Sequence, residues 1–326
     1  MVVFDSRQIY LIKVLYMKCF VTGGAGFIGS NLADYLIKDH KVTVYDNLCL
    51  GRKKFILHHL KNKNFNFIEA DLLDFEKLKQ CMKSHDVIFH LAANSDISNN
   101  SVTDIDLKNG TIATYNVLES MRLNNVKQIV FASTSAVYGE AKIKPTPEDY
   151  GPLFPISFYG ASKLASESLI SSFCHNFSMK SWIFRFANIV GKNGTHGVIV
   201  DFIRKLKENN KKLLILGNGK QAKPYLHVKD CIEGIIYGWK NSNEQINYFN
   251  LGCKDTTNVN GIAKMVADDM KLKHVKFEYT GEERGWIGDV PQVRLDISKI
   301  NKIGWKAKLS SDQAVRKSVK ELLNQR

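Results

Sequence analysis

A tyrosine and a lysine one helical turn apart, Tyr159 and Lys163, open a helical run in the middle of the chain. Side chains four residues apart lie on the same face of a helix, so these two project toward one point. A tyrosine acts as a base near neutral pH only if nearby positive charge favours its phenolate, and a lysine ammonium supplies such charge. Because Tyr-x-x-x-Lys is common by chance, its interpretation depends on the surrounding residues.

Three hydroxyl residues, Ser133, Thr134 and Ser135, follow the apolar strand QIVFA. Open α/β folds bind their ligands at the carboxyl ends of sheet strands, which is where these hydroxyls are expected. One of them can hold a substrate oxygen while Tyr159 takes or returns its proton. The alternative is that they only cap the following turn, and all three will not be catalytic.

The stretch VTGGAGFIG places Gly23, Gly26 and Gly29 directly after a predicted strand and at the start of a predicted helix. The first glycine allows a sharp turn, the second lets the backbone approach a pyrophosphate, and the third lets the helix pack against the strand. The helix N-terminus then presents free N–H groups to the phosphates. In this strand–turn–helix context the glycines predict a dinucleotide-binding loop.

The second predicted strand, KVTVYD, ends at Asp46. A carboxylate there accepts hydrogen bonds from the adenosine ribose and repels a 2′-phosphate, which favours NAD over NADP. Arg52 and Lys53 follow closely and leave NADP as an alternative. After the third strand, Asp71 either faces the adenine amino group or caps the helix that begins at Asp74.

Beta-rich apolar runs alternate with helical patterns from Met17 onward, which predicts an α/β fold, a Rossmann-type doubly wound parallel sheet. Expected strands lie near 18–22, 41–46, 65–69, 86–91, 128–133 and 182–187, with helices at 27–38, 74–84 and 111–124. The second half predicts helices at 197–209, 228–240, 258–270 and 310–324 and short strands at 212–216, 247–251 and 274–279. We therefore expect an NAD-binding domain over 17–187 and a smaller substrate lobe over 188–326, interwoven across one cleft.

The chain has 326 residues and a formal net charge of +14, but its cations are spread out without interleaved aromatic residues. A solvated basic surface is therefore favoured over nucleic-acid binding. The six cysteines form no CxxC pair, so no metal site is expected, and a cytoplasmic protein with reduced thiols fits best. No apolar run approaches a membrane span. Residues 1–16 are interpreted as a leader outside the fold, the alternative being an extra surface segment.

The motifs TGGAGFIG, LAA, STSAVYG and YGASK occur in this order and spacing, and the sequence resembles the extended short-chain dehydrogenase/reductases that act on nucleotide sugars. Within them it is most similar to the UDP-glucose 4-epimerase group in its archaeal-type form, over about Met17 to Leu323. The resemblance implies that Thr134, Tyr159 and Lys163 are catalytic. It also implies NAD as a tightly retained cofactor and a homodimer formed through the helices at 111–124 and 159–173.

Reaction types in this family differ in the residues after the threonine. Dehydratases carry an Asp-Glu pair there and decarboxylases a Glu, whereas Thr134 is followed by Ser135 and Ala136. The resemblance therefore implies a 4-epimerase that interconverts UDP-glucose and UDP-galactose through a 4-keto sugar. The alternatives are another nucleotide-sugar dehydrogenase, reductase, epimerase or dehydratase, and a catalytically silent NAD-binding sensor.

The resemblance also assigns binding residues. The expected cofactor-binding set is Gly23, Gly26, Phe27, Ile28, Gly29, Asp46, Asn47, Asp71, Leu72, Leu91, Ala92, Ala93, Ser133, Tyr159, Lys163 and Phe186. The expected substrate-binding set is Thr134, Ser135, Tyr159, Asn188, His196, Gly197, Val198, Lys223, Tyr225, Arg284, Asp289 and Val293.

Several substrate residues carry specific expectations. Asn188 either touches the sugar diphosphate or is a plain turn residue. Lys223 stands where relatives have a phosphate-binding arginine, and Arg284 lies two residues further from Asp289 than in the bacterial enzymes. Val293 replaces a bulky tyrosine and implies room for a 2-acetamido group. In NGTIAT, Gly110 departs from the family pattern, which puts the role of that segment in doubt.

Overall fold

The computed structural model describes residues 16–94, 102–286 and 288–325. A seven-stranded, fully parallel sheet lies at its centre, in the order β11-β6-β5-β4-β1-β2-β3. Its strands are β1 (Lys18–Thr22), β2 (Lys41–Asp46), β3 (Phe65–Glu69), β4 (Val87–His90), β5 (Gln128–Thr134), β6 (Lys180–Phe186) and β11 (Ile246–Leu251). The central strands, such as β4 with its four buried residues, suit a sheet that is covered on both faces. The predicted doubly wound fold is confirmed.

Helices cover the two faces of the sheet and produce two separate apolar cores. On one face lie α1 (Phe27–Leu36) and α7 (Val228–Asn241). On the other lie α2 (Phe75–Cys81), α4 (Ala113–Leu123) and α5 (Phe158–Phe177). The short helix α3 (Asp104–Asp106) and a π-helical turn over Leu107–Ile112 lead into α4.

A smaller lobe with its own apolar core is built from α6 (Val198–Glu208), α8 (Val259–Asp269) and α10 (Ser311–Asn324). Three two-stranded pairs accompany these helices: β7 (Asn188–Val190) with β10 (Tyr225–His227), β9 (Ala222–Lys223) with β12 (Thr257–Asn258), and β8 (Lys212–Ile215) with β13 (Lys276–Tyr279). The helix α9 (Ser298–Lys302) packs beside β11.

The strand β11 lies elsewhere than the sequence analysis expected. It was assigned to the smaller lobe, but it pairs in register with β6 and forms an edge of the central sheet. Its sequence specifies a strand without specifying its neighbour, and the preceding helix α7 packs against α1. A cut between residues 187 and 188 would therefore divide the sheet.

The expected leader, residues 1–16, lies outside the described residues except for Tyr16. Among the described helices, none combines the length and apolar character that crossing a membrane requires.

Candidate active site

A cavity of about 1360 Å³ opens at the carboxyl edge of the sheet, between the sheet and the smaller lobe. It spans the ends of β1 and β4, where the strand order reverses and where doubly wound folds bind their ligands. With the exception of Arg284, every residue of the expected cofactor and substrate sets lines this cavity.

The glycine loop has the close packing that a dinucleotide cradle requires. Gly23 has φ +68°, and a Cβ there would lie 2.7 Å from the backbone nitrogen of Ala92. A Cβ on Gly29 would lie 2.1 Å from the carbonyl oxygen of Gly23. The helix α1 begins directly after Gly26, which supplies no side chain to cap the first N–H groups. These N–H groups face the cavity and fit the pyrophosphate of NAD.

The carboxylate of Asp46, at the end of β2, is held by backbone donors at the cavity wall. Its Oδ2 accepts a hydrogen bond from Ala25 N at 2.9 Å and its Oδ1 accepts one from Leu48 N at 2.8 Å. Burial raises the pKa of Asp46, and the two N–H donors oppose that effect. Arg52 and Lys53 are exposed and lie outside the lining of this cavity, so the position fits an unphosphorylated ribose.

Two alternatives were open for Asp71, a contact with adenine or a helix cap, and the structure decides the second. Asp74 caps α2 by accepting a hydrogen bond from Lys77 N, so the interpretation of Asp71 as the helix cap is wrong. Asp71 instead accepts hydrogen bonds from Leu73 N and from Asn47 Nδ2, both at 2.8 Å. Its carboxylate therefore orients a neighbouring cavity residue.

The helix α5 and the end of β5 bring the three expected catalytic side chains together. Ser157 caps α5, and Tyr159 on its first turn is hydrogen-bonded to Thr134. The Thr134 hydroxyl also accepts from Ala136 N at 3.1 Å. One turn later, Lys163 Nζ donates to Ala132 O at 2.7 Å and lies 6.0 Å from the centre of the Tyr159 ring.

The electrostatics differ from the expectation that Lys163 lowers the pKa of Tyr159. Burial, followed by the charge of Asp106, raises the pKa of Tyr159 to about 12, and the hydrogen bond from Thr134 opposes this only in part. Burial also lowers the pKa of Lys163 to about 7, against the raising effect of Glu167 and Asp106. The chain's own residues therefore keep the proton on Tyr159 at neutral pH.

A buried ion pair beneath the catalytic residues was missed by the sequence analysis. Glu167, one turn after Lys163, receives hydrogen bonds from Arg185 Nη2 at 2.7 Å and from the Ser133 hydroxyl. The Ser133 hydroxyl is therefore hydrogen-bonded within the protein, although Ser133 lines the cavity. The i+4 spacing of Glu167 from Lys163 was the available signal, but its partner Arg185 lies on another strand.

The departure at Gly110 has a packing explanation. A Cβ at this position would lie 1.9 Å from the Ser162 hydroxyl oxygen, so the π-helical turn packs directly against α5. The neighbouring Asn109 lines the cavity.

In the smaller lobe, Lys223 and Asp289 form an ion pair at 2.5 Å, with Asp289 only 2% exposed. The second Asp289 oxygen accepts a hydrogen bond from Gly285 N at 3.1 Å. Both expected substrate residues therefore already have partners, and the positive charge of Lys223 at the cavity is partly neutralised. Asn188 is hydrogen-bonded to the buried Tyr225, whose pKa is raised by burial.

Arg284 was expected at the substrate diphosphate, and the structure does not bring it into the cavity. Its guanidinium pairs with Glu140 at 2.5 Å and donates to the carbonyl oxygen of Asp289 at 3.1 Å. These two partners hold the Arg284 guanidinium away from the cavity lining.

Residues His196, Gly197 and Val198 form the entry to α6. Gly197 has φ +91° and caps the helix without a side chain, so the first N–H groups of α6 face the cavity. Helix N-termini bind anions, which suits the expectation that this segment contacts the nucleotide sugar.

Comparisons with known proteins agree with this geometry. The model of the NAD-dependent epimerase/dehydratase family matches residues 19–252. A Methanocaldococcus jannaschii protein named as a candidate UDP-glucose 4-epimerase is 32% identical, over 93% of this chain and 98% of its own length. The UDP-N-acetyl-α-D-glucosaminuronate decarboxylase of Bacillus cytotoxicus is also 32% identical, over 88% of this chain and 91% of its own.

Among solved structures, that of a UDP-galactose 4-epimerase has a TM-score of 0.84 and 36% identity, over 94% of this chain and 99% of its own. The glycine loop, the Tyr159–Lys163 helix and the parallel sheet apart from Lys18 lie within the matched family region. The chain therefore belongs to the NAD-dependent epimerase/dehydratase family, whose enzymes epimerise, dehydrate or decarboxylate nucleotide sugars.

Proposed function

We propose that the protein interconverts UDP-glucose and UDP-galactose by inverting C4 of the sugar. The observation that carries this proposal is the hydrogen-bonded pair of Tyr159 and Thr134, followed directly by Ser135 and Ala136. This arrangement provides a proton acceptor at a sugar hydroxyl but no adjacent carboxyl group to drive elimination. The likeness to a UDP-galactose 4-epimerase supports the same activity.

The proposed cycle uses one proton acceptor twice. Thr134 holds the 4-oxygen while Tyr159 Oη takes the proton of the 4-hydroxyl. The glycine loop and Asp46 would hold NAD, which when bound would supply a reversible hydride acceptor for C4 of the sugar. After the 4-keto sugar has turned over in the cavity, Tyr159 gives its proton back to the 4-oxygen, so proton and electron pair both return to the substrate. The protonated form of Lys163 would favour the transient phenolate by its charge.

The capacity for a larger sugar depends on Val293, a partly buried residue of the cavity wall. Its side chain is smaller than the tyrosine of hexose-restricted epimerases, so we propose that UDP-GlcNAc is also epimerised. A relative that acts on a UDP-N-acetyl sugar acid supports this extension. Turnover of UDP-glucose without any conversion of UDP-GlcNAc at the same concentration would refute it.

The central experiment mixes purified protein with UDP-galactose, without added NAD, and follows the sugar anomeric signals by NMR. An equilibrium mixture with UDP-glucose supports the proposal. A keto product or net NADH formation instead indicates another nucleotide-sugar enzyme of this family. A parallel sample with UDP-glucuronate tests decarboxylation, in which release of CO₂ would replace the epimerase assignment.

A further inference from the structure

A cluster of two histidines and one aspartate lies outside the active site, on the outer face of α1. Asp34 belongs to α1, and His58 and His59 belong to a short 3₁₀ turn between β2 and β3. Both Nε2 atoms approach the same carboxylate oxygen, His58 at 2.8 Å and His59 at 2.7 Å from Asp34 Oδ1. We call these three residues the His–Asp cluster.

The donor atoms of the His–Asp cluster already lie close enough to share one ion. One ligand atom from each residue lies within 4.8 Å of the others. Tetrahedral zinc ligands at about 2.0–2.1 Å from the metal are separated by roughly 3.3 Å, so each Nε2–Oδ1 distance would need to lengthen by only about half an ångström. Two imidazoles and a carboxylate are a typical zinc ligand set, and the fourth position is left to water.

The surroundings of the cluster hold the ligands in place and leave one side open. His59 is 12% exposed and packs against the ring of Phe65, with ring centres 5.2 Å apart. His58 is 53% exposed and Asp34 is 32% exposed, so an ion can enter from solvent. The two imidazole centres are only 4.0 Å apart, and both Nε2 atoms lie close to the same carboxylate oxygen.

We propose that Asp34, His58 and His59 bind one Zn²⁺ ion that cross-links α1 to the segment between β2 and β3. Both linked elements also reach the cofactor cavity, α1 through Phe27 and the other segment through Gly51. Asp34 is distant in sequence from the two adjacent histidines, which is why no spacing motif indicates the site.

The test uses untagged, chelator-washed protein and isothermal titration with zinc chloride. Wild-type protein is expected to bind about one Zn²⁺ per chain at this site and to unfold at a higher temperature when zinc is present. Asp34→Asn, His58→Gln and His59→Gln are each expected to lose this binding and the zinc-dependent rise in Tm. Because His58 is the most exposed ligand, His58→Gln decides the test if the other variants fold poorly.

Two matched controls separate this site from adventitious binding. His274→Asn removes an exposed histidine elsewhere, and Cys49→Ser removes the exposed cysteine. Both are expected to keep the wild-type isotherm. The proposal is overturned if wild-type protein gives no isotherm, if the three ligand variants bind zinc as wild type does, or if Cys49→Ser abolishes binding.

Discussion

In the proposed cycle Tyr159 is the residue whose proton moves, and its surroundings resist that movement in the protein alone. Burial raises its pKa to about 12, and Thr134 is its hydrogen-bond partner. If Tyr159 is the proton acceptor at the sugar, Tyr159→Phe removes the acceptor while keeping the ring. We expect kcat to fall by about 10²–10⁴-fold with unchanged circular dichroism and NAD content. A variant that retains full turnover would remove Tyr159 from the mechanism.

Replacing Lys163 should change the pH dependence of turnover. In the protein alone, burial and Asp106 keep the pKa of Tyr159 high. If Tyr159 is nevertheless the proton acceptor and the Lys163 ammonium favours its phenolate during turnover, turnover should rise with pH, and the ammonium should move that rise to lower pH. Lys163→Met removes the charge, so the rising limb of the kcat–pH profile should move upward by about one pH unit or more. The profile is measured at saturating NAD.

A matched control for this profile is Lys127→Met, which removes a lysine whose ammonium binds the carbonyl oxygen of Phe177. It should leave the limb in place. An unshifted limb in Lys163→Met would mean that this ammonium does not act on Tyr159.

At the scale of elements, α5 is joined to the end of β5 by three successive turns. Tyr159 contacts Thr134, Lys163 contacts Ala132, and Glu167 accepts a hydrogen bond from Ser133. Each turn of the helix thus fixes one residue of the strand. This arrangement sets the distance between the helix that carries Tyr159 and the strand that carries Thr134.

We expect the protein to lose much of its stability when the buried ion pair of Arg185 with Glu167 is broken. The side chains of Arg185 and Glu167 are only 9% and 8% exposed, so Glu167→Ala leaves a guanidinium buried without its carboxylate. We expect the free energy of unfolding to fall by about 3–5 kcal/mol, measured by urea denaturation. The surface pair of Arg122 with Glu119 is the control.

Glu119→Ala should cost about 1 kcal/mol or less, because solvent screens that pair. Equal losses in the two variants would contradict the importance of burial at Glu167.

Some elements were predictable from sequence because their signals are local. The β1–α1 loop combines glycine spacing with an apolar strand, and the i, i+4 spacing of Tyr159 and Lys163 places both on one face of a helix. The partner of β11 and the Arg185–Glu167 pair were not predictable, because each joins segments that are distant in sequence. The side-chain direction of Arg284 also depends on Glu140, more than a hundred residues away.

At the scale of the whole molecule, apolar side chains remain exposed on α4 and α5. Tyr115 is 47% exposed and packs edge-on against Phe173, while Leu123 and Phe177 are 48% and 38% exposed. If the molecule is a homodimer formed through these helices, Tyr115→Glu should give a monomer of unchanged fold. Light scattering after size exclusion measures this.

The control for this prediction is Leu214→Glu, which places the same charge at an equally exposed apolar residue of the smaller lobe. It should leave the dimer intact. A wild-type monomer, or a Tyr115→Glu dimer, would contradict the prediction.

The position of β11 has a consequence for synthesis on the ribosome. Every strand of the central sheet except this one lies within the first 186 residues, and β11 ends at Leu251. Until that residue has emerged, the nascent chain presents β6 as an unpaired edge, ready to pair with another chain. The growing polypeptide is therefore most exposed to aggregation while residues 186 to 251 are being synthesised, and we expect it to need a chaperone most during that interval.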